Sequence, residues 1–182
     1  MIPEQPSTGA AAVANPFLGL DAEKALRKRG WLIGEISAEQ TSWCERAASF
    51  LGPHVTDATG LSELLCLIFH YDAQEMLQQV ENHIVLSRVG ARKVLRRLAL
   101  YLLDGEPLTS ARFSEVITQM KETIEIRGRD LFHTARMALA GRAGGGELDR
   151  VILLLDEAAV LGFTAPVKTA RARITEFCAA LD

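Results

Sequence analysis

The side chains with most chemical potential in this sequence are cations repeated at helical spacing. Arg88, Arg92 and Arg96 recur every fourth residue, Lys93 and Arg97 form an adjacent row, and no Asp or Glu lies within residues 88–97. On a helix these rows form one face, where each like-charged pair costs about 0.2–0.5 kcal/mol. Something must offset that repulsion. Water, carboxylates from the acidic N-terminal half, and the phosphates of a polyanion all remain open. Arg129, His133 and Arg136 repeat the pattern at i, i+4 and i+7. Arg142 follows inside Gly141-Arg-Ala-Gly-Gly-Gly-Glu, whose backbone N–H groups could cradle an anion at a helix start or simply form a flexible turn.

Other chemistry finds little support. That glycine stretch lacks a preceding strand and the Lys-Ser/Thr of a nucleotide loop. His54, His70, His83 and His133 have no metal-ligand spacing with one another or with a cysteine, so no metal and no cofactor is expected. Cys44, Cys66 and Cys178 are odd in number and far apart, which suits small buried thiols in a reducing compartment. Within His70-Tyr71-Asp72, the aspartate is accounted for as a helix cap. Glu122 and Glu125 suit surface pairing with Arg129 better than acid–base work. No Gly-x-Ser-x-Gly, His-Glu-x-x-His or paired-cysteine pattern occurs.

The chain has 182 residues, 48% apolar and 24% charged, which is ordinary for a globular protein with a core of its own. Its net charge of −3 argues against indiscriminate nucleic-acid binding, but the charge is uneven. Residues 1–87 carry five Lys and Arg against eleven Asp and Glu; residues 88–182 carry fifteen against twelve. The second half would tolerate a polyanion that the first half repels. No apolar run reaches membrane-spanning length and the N-terminus lacks the positive region of a secretory signal, so a cytoplasmic protein without membrane association is expected.

The elements that must position these residues are helical. Residues 1–16, rich in Pro, Ala, Ser and Gly, suit a flexible leader. A short helix ends at Gly30 with Lys24, Arg27, Lys28 and Arg29 near its negative end. Ser37-x-x-Gln40 opens a helix to Leu51, and Gly52-Pro53 ends it. Leu61 to Phe69 forms the next, and Asp72 caps a helix with Met76, Leu77, Val80 and Ile84 inward. Arg88 to Leu103 follows, with Val94, Leu95, Leu98 and Leu102 inward, then a helix capped at Thr109 or Ser110. Leu131, Ala135, Ala138 and Leu139 mark the buried stripe of the helix at 129–140, and Gly141 supplies its C-terminal stop. Glu147 restarts a helix, and Thr164 with Pro166 opens the last one. No period-2 strand run or internal repeat appears. An all-α bundle of eight or nine helices is expected: an N-terminal helical subdomain at 17–58, and a second at 59–182.

At the centre of that second part the sequence resembles a family. Leu131-Phe132, Arg136, Ala138-Leu139, Gly141, Gly145 and Leu148 stand in the register of the C-terminal motif of class I (class Ic) glutamyl-tRNA synthetases. That motif runs Leu-Phe-x-Pro-Leu-Arg-x-Ala-Leu-Thr-Gly, then a short turn with Gly-Pro, then Leu. Thr134 and Gly146 replace prolines, Ala135 a leucine and Ala140 a threonine. Leu61-Ser-Glu-Leu followed by Ile68-Phe69-His70-Tyr71-Asp72 resembles the stretch before the anticodon-binding helices of the same enzymes. The resemblance covers about residues 59–160 and is strongest at 126–155.

What the resemblance implies is the helical anticodon-binding part of those enzymes without their catalytic domain. No nucleotide-binding domain, His-x-Gly-His segment or Lys-x-Ser-Lys-like loop is present, so the chain is not expected to be an enzyme. It implies a stand-alone relative that engages tRNA or another structured RNA through Arg88, Arg92, Lys93, Arg96, Arg97, Arg129, Arg136 and Arg142, mainly at phosphates. Aromatic residues make up only 6%, so base stacking is a minor prospect. The alternative is a helical protein-interaction or regulatory module that has lost RNA binding, its partner a protein such as a synthetase.

Overall fold

The computed structural model describes residues 14–181, and every regular element among them is helical. The expected leader lies outside the described residues through Val13. Its end is tied down: the Asn15 side-chain N–H donates to the Ala48 carbonyl at 3.0 Å. The order is α1 (Gly19–Lys28), α2 (Ala38–Leu51), a 3₁₀ turn (Gly52–His54), α3 (Ala58–Phe69), α4 (Ala73–Leu77), α5 (Val80–Leu86), α6 (Ala91–Leu102), α7 (Ser110–Thr123), α8 (Gly128–Ala140), α9 (Glu147–Ile152), α10 (Leu155–Ala158) and α11 (Ala170–Ala180).

The caps follow side-chain chemistry. Ser37 accepts from the Gln40 N–H at 3.1 Å while the Gln40 side chain accepts from the Ser37 N–H at 3.0 Å, closing a capping box. The Asp72 carboxylate accepts from the N–H groups of Gln74 and Glu75, at 2.8 and 3.0 Å, as a helix cap should.

The eight or nine expected helices correspond to eleven α-helices among the described residues because two expected helices are broken. The first break overturns a core expectation. The helix after Asp72 stops at Leu77 and restarts with Gln79 as N-cap, so α5 turns a different face inward than a continuous helix would. Asn82 and Val85 are buried, whereas Val80 and Ile84 are 68% and 56% exposed. A similar break separates α9 from α10. The last helix also starts later than Thr164 and Pro166 suggest. Thr164 donates its N–H to the Trp31 carbonyl at 2.9 Å, and Thr169 caps α11 by accepting from the Ala172 N–H. The Asp156 carboxylate fixes that start by accepting from Ala170 N–H at 2.7 Å and Leu108 N–H at 2.6 Å.

One hydrophobic cluster runs from α1 to α11. α1 packs on α2 and α3; α2 and α3 pack on α9; α6 packs on α8 and α11; α11 also reaches α4 and α8. At the junction of early and late helices, Trp31, Trp43, Phe69 and Phe163 form an aromatic cluster with ring centroids 4.7–5.9 Å apart, within the favourable range for such pairs. The buried Trp43 indole N–H donates to the Leu154 carbonyl at 3.2 Å. Among the described residues no helix is long and apolar enough to cross a membrane.

Candidate nucleic-acid interface

The basic ridge lies on α6. Gly90 starts it with φ of 91°, and a Cβ there would come within 2.3 Å of the Ile126 Cδ1, so both conformation and space call for glycine. Val94, Leu95, Leu98 and Leu102 turn inward as the spacing predicts. The opposite face carries Arg92, Lys93 and Arg96 exposed, with Arg97 half-buried. No carboxylate among the described residues forms an ion pair with any of these four. The described acids of residues 14–87 therefore form no ion pair with the ridge.

A second group of cations converges at the start of α8. Arg129 is exposed, and Arg88, at the α5–α6 turn, reaches Asp130 at 3.3 Å. The half-buried His133 sits among them: burial holds its pKa below the ordinary histidine value, and the charges of Arg88, Arg129 and Arg136 push it the same way. The local potential is positive. Glu122 and Glu125, expected to pair with Arg129, form no ion pair with it, because α7 ends at Thr123, the chain bends at Ile124 and Glu125, and α8 starts only at Gly128.

Arg136 stands apart from the other candidates. Its Nε and Nη2 bond Asp149 Oδ1 and Oδ2, both at 2.7 Å, and Nη1 donates to the Gly144 carbonyl at 2.8 Å. The hydrogen bond to Asp149 raises its pKa against the opposing effect of burial. With its side chain 13% exposed, this guanidinium clamps the 141–146 turn to α9. Phe132, a possible stacking ring, has the Lys121 ammonium at 5.3 Å and the Arg136 guanidinium at 5.1 Å from its centroid.

The glycine turn itself is occupied from within. Gly141 caps α8 with φ of 90°, and a Cβ there would meet the Met76 Cε at 2.8 Å. The Gly145 N–H donates to the Glu147 carboxylate at 3.1 Å, so the chain's own acid takes a position an external anion would use. Arg142, just beyond the cap, is exposed.

A model of the anticodon binding domain matches residues 11–162. The chain belongs to the anticodon-binding domain family. Similar proteins are glutamate–tRNA ligase 2 of Syntrophus aciditrophicus (strain SB), 27% identical over 127 residues, and glutamate–tRNA ligase of Bacillus subtilis (strain 168), 27% over 130 residues. Glutamate–tRNA ligase of Bacillus cytotoxicus (strain DSM 22905 / CIP 110041 / 391-98 / NVH 391-98) is 26% identical over 138 residues. The alignments take in 69%, 71% and 75% of this chain but only 25%, 26% and 27% of those relatives, so the chain spans about a quarter of their length. No solved structure matches the chain at comparable significance.

Against this anticodon-binding domain, α11 lies beyond the matched residues and yet supplies its most buried cation. Arg173 has no exposed surface. Nη1 donates to the carbonyls of Leu67 and Leu139, each at 2.8 Å, Nη2 to Ile68 at 2.5 Å, and Nε to Lys168 at 3.2 Å. Those carbonyls include the last turns of α3 and α8, where a cation offsets the negative helix ends. Helical spacing gave a sign of this: Arg173 falls three residues after Ala170 and four before Phe177, inside the apolar stripe of its own helix.

Proposed function

We propose that this anticodon-binding domain engages tRNA, or another structured RNA, through the outer face of α6 and the start of α8. Arg92, Lys93, Arg96, Arg97 and Arg129 contact backbone phosphates, Arg88 contributes beside its partner Asp130, and Arg142 extends the contact past the α8 cap. Arg136 acts as a positioning residue that shapes the turn carrying Arg142. The observation that carries this reading is the α6 row of four cations with no ion-paired acid among the described residues, a repulsive arrangement that phosphates relieve. Phosphate contacts fix register without reading sequence, and the tryptophans sit in the interior aromatic cluster, so discrimination between tRNAs comes from shape. The domain forms no aminoacyl adenylate of its own.

A second reading, a protein-docking module, draws on the same face. Val89, Leu100 and Leu103 are 96%, 60% and 50% exposed and bracket the cations, a mixture that would suit an acidic amphipathic helix. Filter binding of purified tRNA to the wild-type chain and to Arg92→Ala/Arg96→Ala separates the two. Loss of binding in the variant supports RNA; no tRNA retention by the wild type at low salt overturns it.

A further inference from the structure

Four of the five cations in the acidic residues 1–87 fall within Lys24 to Arg29. The favourable interaction of positive charge with the C-terminal end of α1 accounts for cations on that turn. It does not account for their setting. A cleft of about 370 Å³ opens between α1 and the beginning of α3, lined by Lys24, Lys28, Arg29, Thr59 and Ser62. One acid, Asp21, also lines it, 3.9 Å from the Lys24 ammonium, so three cations face one carboxylate. Arg27 takes no part: it pairs with Glu23 at 2.8 Å and donates to the Gly34 carbonyl.

Arg29 is the organised member. Its Nε donates to the Ser62 hydroxyl at 3.2 Å, and its guanidinium lies 5.6 Å from the Trp31 ring centroid. No bond engages its two terminal nitrogens among the described residues, which leaves a fork of donors beside the cleft. Across the cleft α3 begins, and its Asp57 cap accepts only the Gly60 N–H among the first N–H groups of a twelve-residue helix.

We propose that this cleft binds a phosphate group. A tetrahedral anion with three or four acceptor oxygens matches a guanidinium fork, two ammonium groups and the hydroxyl donors of Thr59 and Ser62. A planar carboxylate would use the fork and leave the remaining donors unserved. The cleft holds more than a single phosphate, so the fitting ligand is a phosphate ester, either a small molecule or one linkage of a nucleic-acid backbone. This assignment does not rest on the RNA reading of α6, because it uses a different helix pair.

Titration of the full chain with inorganic phosphate at constant ionic strength, followed by amide NMR, tests it. Saturable shifts at Ala58, Thr59 and Ser62 are expected, with chloride producing none. Lys28→Ala/Arg29→Ala should weaken the phosphate response on the order of tenfold. The charge-preserving Thr59→Ala/Ser62→Ala variant, which leaves α1 untouched, should weaken it less. Arg92→Ala/Arg96→Ala should leave it unchanged, so failure of the RNA proposal and failure of this one read out separately. Competition by tRNA would identify the ester as RNA backbone; persistence of the phosphate shifts under saturating tRNA would identify a free phosphate ester. Shifts that fail to saturate, that chloride reproduces, or that survive both cleft variants overturn the site.

Discussion

The Arg173 guanidinium lies 4.5 Å from the Tyr71 ring centroid, and no carboxylate among the described residues pairs with it. The Tyr71 hydroxyl proton is shared between the Ala138 carbonyl at 2.5 Å and the Arg173 carbonyl at 3.1 Å. Burial lowers the Arg173 pKa to about 10, so the side chain is charged at neutral pH, and backbone carbonyls together with an aromatic face stabilise that charge. One cation thus joins the ends of α3 and α8 to α11.

Removing that cation strands carbonyls of Leu67, Ile68 and Leu139 in a dry interior. Arg173→Ala should cost roughly 3–5 kcal/mol in chemical denaturation, because buried acceptors lose charged donors and the core loses a long stem. Arg173→Lys should recover part of this, since one ammonium cannot span the same set of carbonyls. A loss below about 1 kcal/mol for the alanine variant would show that water or a neighbour replaces the guanidinium, since a lost charged hydrogen bond alone is worth more.

The phase of α6 and α8 makes a second, independent expectation. Leu139 is fully buried, so Leu139→Ala should cost about 2–5 kcal/mol. Arg97, half-buried on the ridge without an ion-pair partner among the described residues, should tolerate alanine within about 0.5 kcal/mol. Thermal melts of the two variants rank them directly; a reversed order would mean the ridge is structural.

These residues also mark what one sequence discloses. The inward stripes of α6 and α8 were legible because each helix is longer than two turns and amphipathic, so its periodicity is unambiguous. The α4–α5 break was not, because Gln78 and Gln79 carry no glycine or proline signal and the exposed Val80 and Ile84 keep helical spacing with Met76 and Leu77. Arg136 looked like one of three equivalent cations on a face. Its partner Asp149 lies thirteen residues away across a glycine turn, and only the folded turn brings them together. The cleft at α1 was hidden for the same reason: its hydroxyls come from α3, about thirty residues later.

His133 reports on the charge around it. Its pKa is depressed by burial first and then by Arg88, Arg129 and Arg136, so the folded state favours the neutral ring. The unfolded chain takes up its proton first as pH falls through about 6.5, and that difference destabilises the fold progressively until the folded-state pKa is passed. NMR titration should place the His133 midpoint below the ordinary value and Arg129→Ala should raise it. Bound RNA phosphate should raise it too. Saturation with tRNA that leaves the midpoint unmoved would place the RNA away from α8.

Catalysis offers a simple check on the non-enzymatic reading. Incubated with ATP, glutamate and total tRNA, the chain should support neither pyrophosphate exchange nor tRNA charging. The relatives that carry the ligase name are about four times the aligned length, and the chain matches only a quarter of each. Exchange activity that co-purifies with the chain through successive columns and vanishes with a core-disrupting variant such as Leu139→Ala would overturn it.

The RNA proposal makes its sharpest claim in salt. If Arg92, Arg96 and Arg129 neutralise phosphates, binding releases condensed counterions, and the logarithm of affinity should fall linearly with the logarithm of salt concentration. Each contact removed should flatten that slope by roughly one unit, so Arg92→Ala/Arg96→Ala should lower it by about two. Because phosphates carry no sequence information, the loss should be nearly equal for every tRNA tested. Arg136→Gln is the informative contrast. Its guanidinium is committed to Asp149 and Gly144, so removing its charge should leave the salt slope intact and lower stability by loosening the turn. If instead Arg136→Gln flattens the slope as much as the loss of an α6 arginine does, the clamp opens on binding and Arg136 touches RNA itself.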